Sequence, residues 1–571
     1  MRSRIIAIFS ILVAASMLLA ACQTPPTPAA NTNTDPTQPP AKLETLRINL
    51  TSYPDIVDPQ QSGFNNEIAH LYMVYEGPTR LDKDLKTVPG AADKWEFNEK
   101  LDEITFHLRA GLKYSDGALI NAQRFVYGIL RNIDPATAGQ YASITDDIKG
   151  AIAYRSADLK TISPESLKQL RDAVEVRALD SSGKPCTGYD QADCMTLKIT
   201  LAQPAPYFPT VMSLWVAAPV KQELIEAGGT EWWKDPKNQV GNGPFIWMVN
   251  ESDVKSDFIP NPNYWAGQPK YNLEYRYNAD TAVVFNAYKN NELDIANLGS
   301  EDLKAAQADP VLSKELQNYA GSCTYAVMFH AQKEPFTDPK IRAAFAYGLN
   351  RDAWVTDILK GLGIPTLTWI PKGFPGYDAQ ETRWGYDPEK AKQMIKESSY
   401  GSVEKVPPIT LTFSDSPRNR TRFEWLANQY KLSLGIDMKL NPVEATAYSA
   451  LTKDVSTSPQ MYILGWCADY PDPQNWLSVY WLTGSQCKDF GYSNPELDKI
   501  IKAADVEANP DKRMQMYAEA QKFMIGDVPL AILYTRPNTY LVKPWVKGIN
   551  QTPMDAAWAG IMDPMSISIQ K

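Results

Sequence analysis

Only three histidines occur in the chain of 571 residues: His70, His107 and His330. A Ser-His-Asp relay or a metal hydrolase needs a histidine with partners at recognisable positions. His107 alternates onto the polar face of a predicted strand, and no motif surrounds His70 or His330. No GxSxG, HExxH or phosphate-cradling glycine loop is present. Paired carboxylates of the glycosidase kind are not excluded by inspection, because 66 acidic residues offer countless pairs. A secreted glycosidase is therefore the enzymatic alternative. The expectation is a protein with no catalytic residue, no metal and no cofactor.

Six cysteines complete the inventory of reactive groups. No CxxC and no Cys/His cluster has zinc spacing. Cys186 and Cys194 share the loop SSGKPCTGYDQADC, and Cys467 and Cys487 form a second nearby pair. Outside the cytoplasm both pairs are candidate disulfides that close small loops. Cys323, in CTYAVMF, is then left over as a small buried hydrophobe.

The N-terminus sets the compartment. Arg2 and Arg4 precede an apolar run from Ile5 to Ala21. A basic start and a short apolar stretch make a secretory signal over residues 1–21. Leu19-Ala20-Ala21-Cys22 resembles the bacterial lipobox, which implies cleavage before Cys22 and lipidation of its thiol. Acyl chains contribute roughly 0.8 kcal/mol per buried CH₂, so a multiply acylated cysteine holds a protein on a membrane without a spanning helix. Residues 22–44 are rich in proline and poor in apolar bulk, as a flexible tether is.

The remaining length is too great for one core, so two or three domains are expected. A net charge of −9 argues against a nucleic-acid partner and gives no attraction to anionic lipid. The 29 Tyr and 15 Trp suit either a cleft lined by rings or a large core. Alternating apolar residues predict strands at Leu46–Leu50, Ile104–Leu108 and Met195–Leu201. Asp338-Pro339, Asp387-Pro388 and Asn494-Pro495 each place a capping residue before a proline, the signature of a helix start. Strands and helices alternate along the whole chain without an internal repeat, which indicates α/β lobes.

Six blocks in order carry a resemblance. They are FHLRAGLKYSDGALINAQRFVYGILRNIDP from Phe106; GNGPF from Gly241 with NPNYW from Asn261; NELDIA from Asn291; DPKIRAAFAYGLNRDAWV from Asp338; GWCADYPDP from Gly465; and YLVKPWVKG from Tyr540. Together they resemble the oligopeptide- and dipeptide-binding branch of the solute-binding proteins of ABC importers, family 5. The resemblance implies an α/β fold of two lobes facing a cleft, the type II-like periplasmic-binding-protein fold (cluster C), with an additional inserted domain. By analogy lobe I takes residues 45–88, 218–322 and 536–571, the inserted domain 89–217, and lobe II 323–535. The chain would cross between lobes near Tyr325–Phe329 and Leu533–Arg536. It further implies a monomer that captures short peptides and passes them to permease subunits.

A free peptide carries an ammonium at one end and a carboxylate at the other. By the resemblance Asp469, in GWCADYPDP, takes the amine, with Asp472 as its rival. Gly465, Trp466 and Cys467 lie beside the ligand, supplying backbone hydrogen bonds and an aromatic wall. Tyr141 matches a ligand-facing tyrosine, and residues from Asn49 to Tyr53 touch the ligand from the other lobe. The carboxylate end departs from the pattern. Ile463 stands where some relatives have an arginine, and Ala445 where they tend to have a tryptophan. Arg418 and Arg420, in SDSPRNR, are the candidates for that contact. The departures leave non-peptide ligands open, such as a nickel complex, haem, a sugar or an opine. A surface lipoprotein for signalling or adhesion on the same fold is a third reading.

Overall fold

The strands form where side chains of alternating character can be buried on one face. In β1 (Thr45–Leu50), Leu46 and Ile48 are fully buried. A small antiparallel sheet follows, made of β2 (Ala92–Phe97), β3 (Glu103–Leu108), β4 (Val176–Leu179) and β5 (Thr196–Thr200), in spatial order β2-β3-β5-β4. Ile104, Phe106, Leu197 and Ile199 fill its covered face. The computed structural model describes residues 43–452 and 454–571. The expected signal peptide, the lipid-accepting Cys22 and the tether as far as residue 42 lie outside the described residues.

The large sheet continues with β6 (Phe245–Glu251), β7 (Lys255–Pro260), β8 (Asn272–Tyr277), β9 (Ile295–Asn297) and β10 (Leu316–Phe329). It then takes β11 (Ile409–Ser414), β12 (Met438–Val443), β13 (Met461–Cys467) and β14 (Leu530–Val542). Their spatial order is β12-β11-β13-β10-β14-β9-β1-β8-β7-β6. The two long strands β10 and β14 lie at the middle. One end of β14 pairs with β9, at Ile295↔Val542, whereas the far half of β10 pairs with β13, from Cys323↔Cys467 to Phe329↔Met461. Register shifts interrupt the β10–β14 ladder between Ala320 and Cys323 and again between Tyr325 and Ala326. Pro537, opposite Ala320, has no N–H to donate. The ladder is thus weakest where the two halves of the sheet meet.

Both faces of the sheet are covered around β10. Val327 and Phe329 enter one core with Phe345 and Leu411, while Ala326 and Met328 enter another with Trp369 and Trp476. The covering helices share one start. Those beginning at Pro339, Pro388, Pro417, Pro473, Pro495 and Pro510 each carry proline in the first turn behind a capping Asp, Ser or Asn. Two matter below: α1 (Pro417–Leu434), capped by Ser416, and α2 (Pro473–Trp481), capped by Asp472. Proline loses nothing at a position whose N–H is unpaired anyway, and the polar cap satisfies the next donors.

The disulfides differ in part from the expectation drawn from sequence proximity. Cys186 and Cys194 are bonded. Cys467, however, is bonded to Cys323 and not to Cys487. Cys323 and Cys467 stand directly opposite each other in the antiparallel β10–β13 pair, with Cα atoms 4.0 Å apart. Among the described residues the free thiol is Cys487, buried beyond the end of α2 and pointed at the carbonyls of Trp481 and Leu482 at 3.4 and 3.3 Å. Burial pushes its thiol up to about 12, so it is a poor nucleophile. Thiol titration of unreduced residues 43–571 is expected to find no reactive thiol in the native state and one in denaturant. Peptide mapping should show the Cys323–Cys467 crosslink; a Cys467–Cys487 crosslink would contradict this register.

Candidate functional site

Strand β13 ends at Cys467, and the chain turns through Ala468 and Asp469 into α2. Asn475, fully buried in the first turn of α2, fixes this turn. Its side-chain oxygen accepts from the Asp469 backbone N–H at 3.1 Å and from the Trp466 indole at 3.2 Å. Its amide donates to Asp469 Oδ2 at 3.0 Å. The other carboxylate oxygen, Oδ1, accepts from the Tyr141 hydroxyl at 3.0 Å, a contact spanning 328 residues of sequence. Tyr141 meets Trp215 edge-on at 5.1 Å between ring centres, and Trp215 meets Tyr72 at 6.1 Å. Tyr72 and Trp215 in turn border a cavity of about 80 Å³ together with Glu76 and Met562.

Among the described residues no cation pairs with Asp469. Burial therefore raises its carboxyl above the ordinary range, opposed only by the neutral donors Asn475 and Tyr141. Tyr141 and Tyr72 are raised in turn, by burial first and then by the Asp469 charge. A carboxylate removed from water and left without a counter-charge is costly. This geometry suits a ligand that brings a positive charge. Asp472, the rival acid, is committed elsewhere. It caps α2 through Gln474 N–H and holds Arg513 through two bonds of 2.7 and 2.8 Å.

Gly465, Trp466 and Cys467 line the same turn. Strands β11 and β13 pair only at Leu411↔Met461. Beyond Met461 the edge of β13 that faces away from β10 has no strand partner among the described residues. Its backbone groups there can pair with an added strand. A Cβ on Gly465 would stand 2.6 Å from the Thr324 carbonyl and 2.8 Å from the Tyr325 ring, so only glycine fits. Asn49 is turned inward, donating to Asn278 O and Asn297 Oδ1 at 3.1 Å, and the Tyr53 hydroxyl donates to Asn250.

Arg420 is exposed and held by Asp415 at 2.7 Å. Arg418, two residues earlier, is exposed as well. Sequence reasoning did not single out Arg422, whose charge is felt at the stacked rings of Tyr325 and Tyr534, 5.0 Å apart, or Arg536, whose charge is felt at Tyr534. It also missed Tyr72, Trp215 and Asn475. The Asn follows the motif directly and was legible there; the others depend on tertiary packing. The histidines have structural roles. His70 is buried between Asn66 O and the Tyr277 hydroxyl, and burial pushes it down to about 4. His107 faces Glu96, and His330 faces the Val455 carbonyl. Among the described residues no group of three or more His, Cys, Asp or Glu is gathered as a metal site, and no helix is long and apolar enough to cross a membrane.

The chain matches, over residues 86–486, the bacterial extracellular solute-binding proteins, family 5 middle, and it belongs to that family. It is accordingly a solute binder of the two-lobed periplasmic-binding-protein fold and not an enzyme. It is 28% identical over 531 residues to the dipeptide-binding protein DppE of Bacillus subtilis, covering 90% of this chain and 91% of that one. It is 29% identical over 534 residues to the periplasmic oligopeptide-binding protein OppA of Escherichia coli, with the same coverage of 90% and 91%. Its fold matches the unliganded open form of the periplasmic murein tripeptide-binding protein MppA with a TM-score of 0.77 at 23% identity, over 93% of this chain and 98% of that one.

If a ligand's ammonium pairs with Asp469, the raised carboxyl sets the pH dependence of binding. The charged carboxylate is the binding form, and the empty protein holds its proton to a higher pH than an ordinary aspartate. Affinity is expected to be full above that raised value. It should fall as the pH drops through it, by about tenfold per unit. Calorimetric titration from about pH 8 to pH 4 checks this, and Asp469→Asn should bind weakly with a flat profile in that range.

Proposed function

We propose that this protein captures short peptides outside the cytoplasm and delivers them to the permease of an ABC importer, held near the membrane by lipid on Cys22. The observation that carries the peptide reading is the Asp469 carboxylate, hydrogen-bonded by Tyr141 and Asn475 yet without a cation. A peptide ammonium supplies the missing charge. The unpaired edge of β13 offers main-chain hydrogen bonds from Gly465, Trp466 and Cys467 that do not depend on side-chain type. The space bordered by Tyr72 and Trp215 gives a ligand side chain room. Two relatives, DppE and OppA, are named as dipeptide- and oligopeptide-binding proteins, which favours the same ligand class here.

In this account residues 45–88, 218–322 and 536–571 form lobe I, 89–217 the inserted domain and 323–535 lobe II. The lobes part and close about the interrupted middle of β10 and β14. Closure on a ligand shuts water out, which strengthens each polar contact to it, while Tyr141 of the inserted domain already holds Asp469 of lobe II. The basic start, the apolar run and the Leu19–Cys22 sequence support export and lipidation.

A tripeptide and its N-acetylated twin test the reading on residues 43–571. Blocking the amine removes the charge that Asp469 needs and is expected to weaken binding by roughly 2–5 kcal/mol, a thirtyfold loss or more. Asp469→Ala should lose affinity for the free tripeptide and no longer tell the twins apart. Equal binding of the twins by the unaltered protein would exclude Asp469 as the amine anchor.

A further inference from the structure

Asp469 is not the only carboxylate buried where distant parts of the chain meet. On the proposed division Tyr141, Asp147, Tyr207 and Trp215 belong to the inserted domain, and residues 469–517 to lobe II. Contacts cross between them. The Tyr141 hydroxyl donates to Asp469 at 3.0 Å. The ring of Tyr470, next in the chain, is buried in the core that holds Tyr207 and Trp215. The Arg513 guanidinium lies 5.5 Å from the centre of the Tyr207 ring.

The charges around these contacts do not balance. Helix α3 (Pro495–Asp505) ends on Asp505, and α4 (Pro510–Asp527) carries Arg513 and Tyr517 one turn apart. Arg513 is occupied by Asp472, through bonds of 2.7 and 2.8 Å, and also donates to the Tyr517 hydroxyl at 3.1 Å. The Tyr517 hydroxyl donates to Asp505 Oδ1 at 2.6 Å, and the Ser478 hydroxyl reaches the same oxygen. On the other side the Tyr207 hydroxyl donates to both oxygens of Asp147, at 3.0 and 3.1 Å. Asp146 beside it is paired with Arg155 at 2.6 Å. Among the described residues neither Asp147 nor Asp505 has an ion pair. A line of contacts thus runs Asp147–Tyr207–Arg513–Tyr517–Asp505, with an uncompensated acid at each end.

Burial raises both carboxyls to about 6 against the pull of their hydroxyl donors, and the Asp505 charge adds to the rise at Asp147. At Asp505 the Arg513 charge pulls down and the Asp472 charge pushes up. Burial also holds the hydroxyls of Tyr207, Tyr470 and Tyr517 well above the ordinary tyrosine range, so they stay neutral donors.

We propose that this contact is a proton-sensitive latch: the inserted domain and lobe II hold together more tightly when Asp147 or Asp505 carries a proton, so mild acid favours the closed arrangement whatever the solute. A buried carboxylate without a cation is costly, and a proton removes that cost. Parting the bodies returns water to Asp147, whose carboxyl then falls toward the ordinary value of about 4. Closing therefore takes up a proton between these two values. The closed form gains as the pH falls through about 6 and gains nothing more below about 4. Asp469 acts on a ligand ammonium in the opposite direction, because its proton removes the charge that the ammonium needs. The latch depends on the division into bodies that part, and not on the ligand being a peptide.

Donor and acceptor dyes on Lys160→Cys and Lys522→Cys, at exposed positions of the two bodies, report their separation in single ligand-free molecules. Lowering the pH from about 7.5 to about 5 is expected to raise the ratio of closed to parted molecules roughly tenfold for each carboxylate that titrates. Asp147→Asn keeps an oxygen for Tyr207 but carries no charge. It should be closed more often at the higher pH and lose much of the response. Asp505→Asn should do the same. Thermal unfolding reports whether each variant folds; Asp147, the less buried of the two, carries the test if Asp505→Asn does not. Asp469 lies at the same contact, so Asp469→Asn is measured beside them and should keep the response due to Asp147 and Asp505. A ratio that ignores pH, a response unchanged in Asp147→Asn, or one abolished by Asp469→Asn alone would overturn the latch while leaving the peptide reading intact.

Discussion

A carboxylate that is held in place but not neutralised governs this molecule. Asp469 receives two neutral hydrogen bonds, from Tyr141 and Asn475, and burial raises its carboxyl because no cation answers it. Asn475 fixes the turn by binding the Asp469 backbone, its carboxylate and the Trp466 indole at once. Asp472 caps the helix on which Asn475 sits, and Arg513 secures Asp472 in turn. In the proposed function, a ligand that brings an ammonium supplies the charge that folding leaves unpaired.

The same sheet that presents Asp469 also gives way at its middle. Strands β10 and β14 run through both halves of the large sheet, with two register shifts and Pro537 where the halves meet. The Cys323–Cys467 bond ties β13 to β10 beside those shifts. Tyr141 reaches Asp469 from the far side of the sequence. On the proposed lobe division, a site shared between two bodies that meet at this seam suits hinged capture.

Much of the architecture was legible in the sequence because it is locally encoded. The capping residue and proline at 338–339, 387–388 and 494–495 mark helix starts through interactions within one turn. The alternation in Leu46–Leu50 and Ile104–Leu108 marks half-covered strands for the same reason. What was not legible depends on register between distant strands. Proximity favoured Cys467 with Cys487, twenty residues on, whereas the partner lies 144 residues away across a ladder. Arg420 looked equivalent to Arg418 until Asp415 was seen to occupy it.

The central claim is that the ligand's ammonium completes Asp469. Native mass spectrometry of residues 43–571, beside Asp469→Asn, tests it most directly, with any bound species released by acid and sequenced. The account predicts adducts on the unaltered protein that resolve into short peptides with free amines, and their loss from a folded variant. The same adducts on both proteins, or a bound species without an amine, would contradict it.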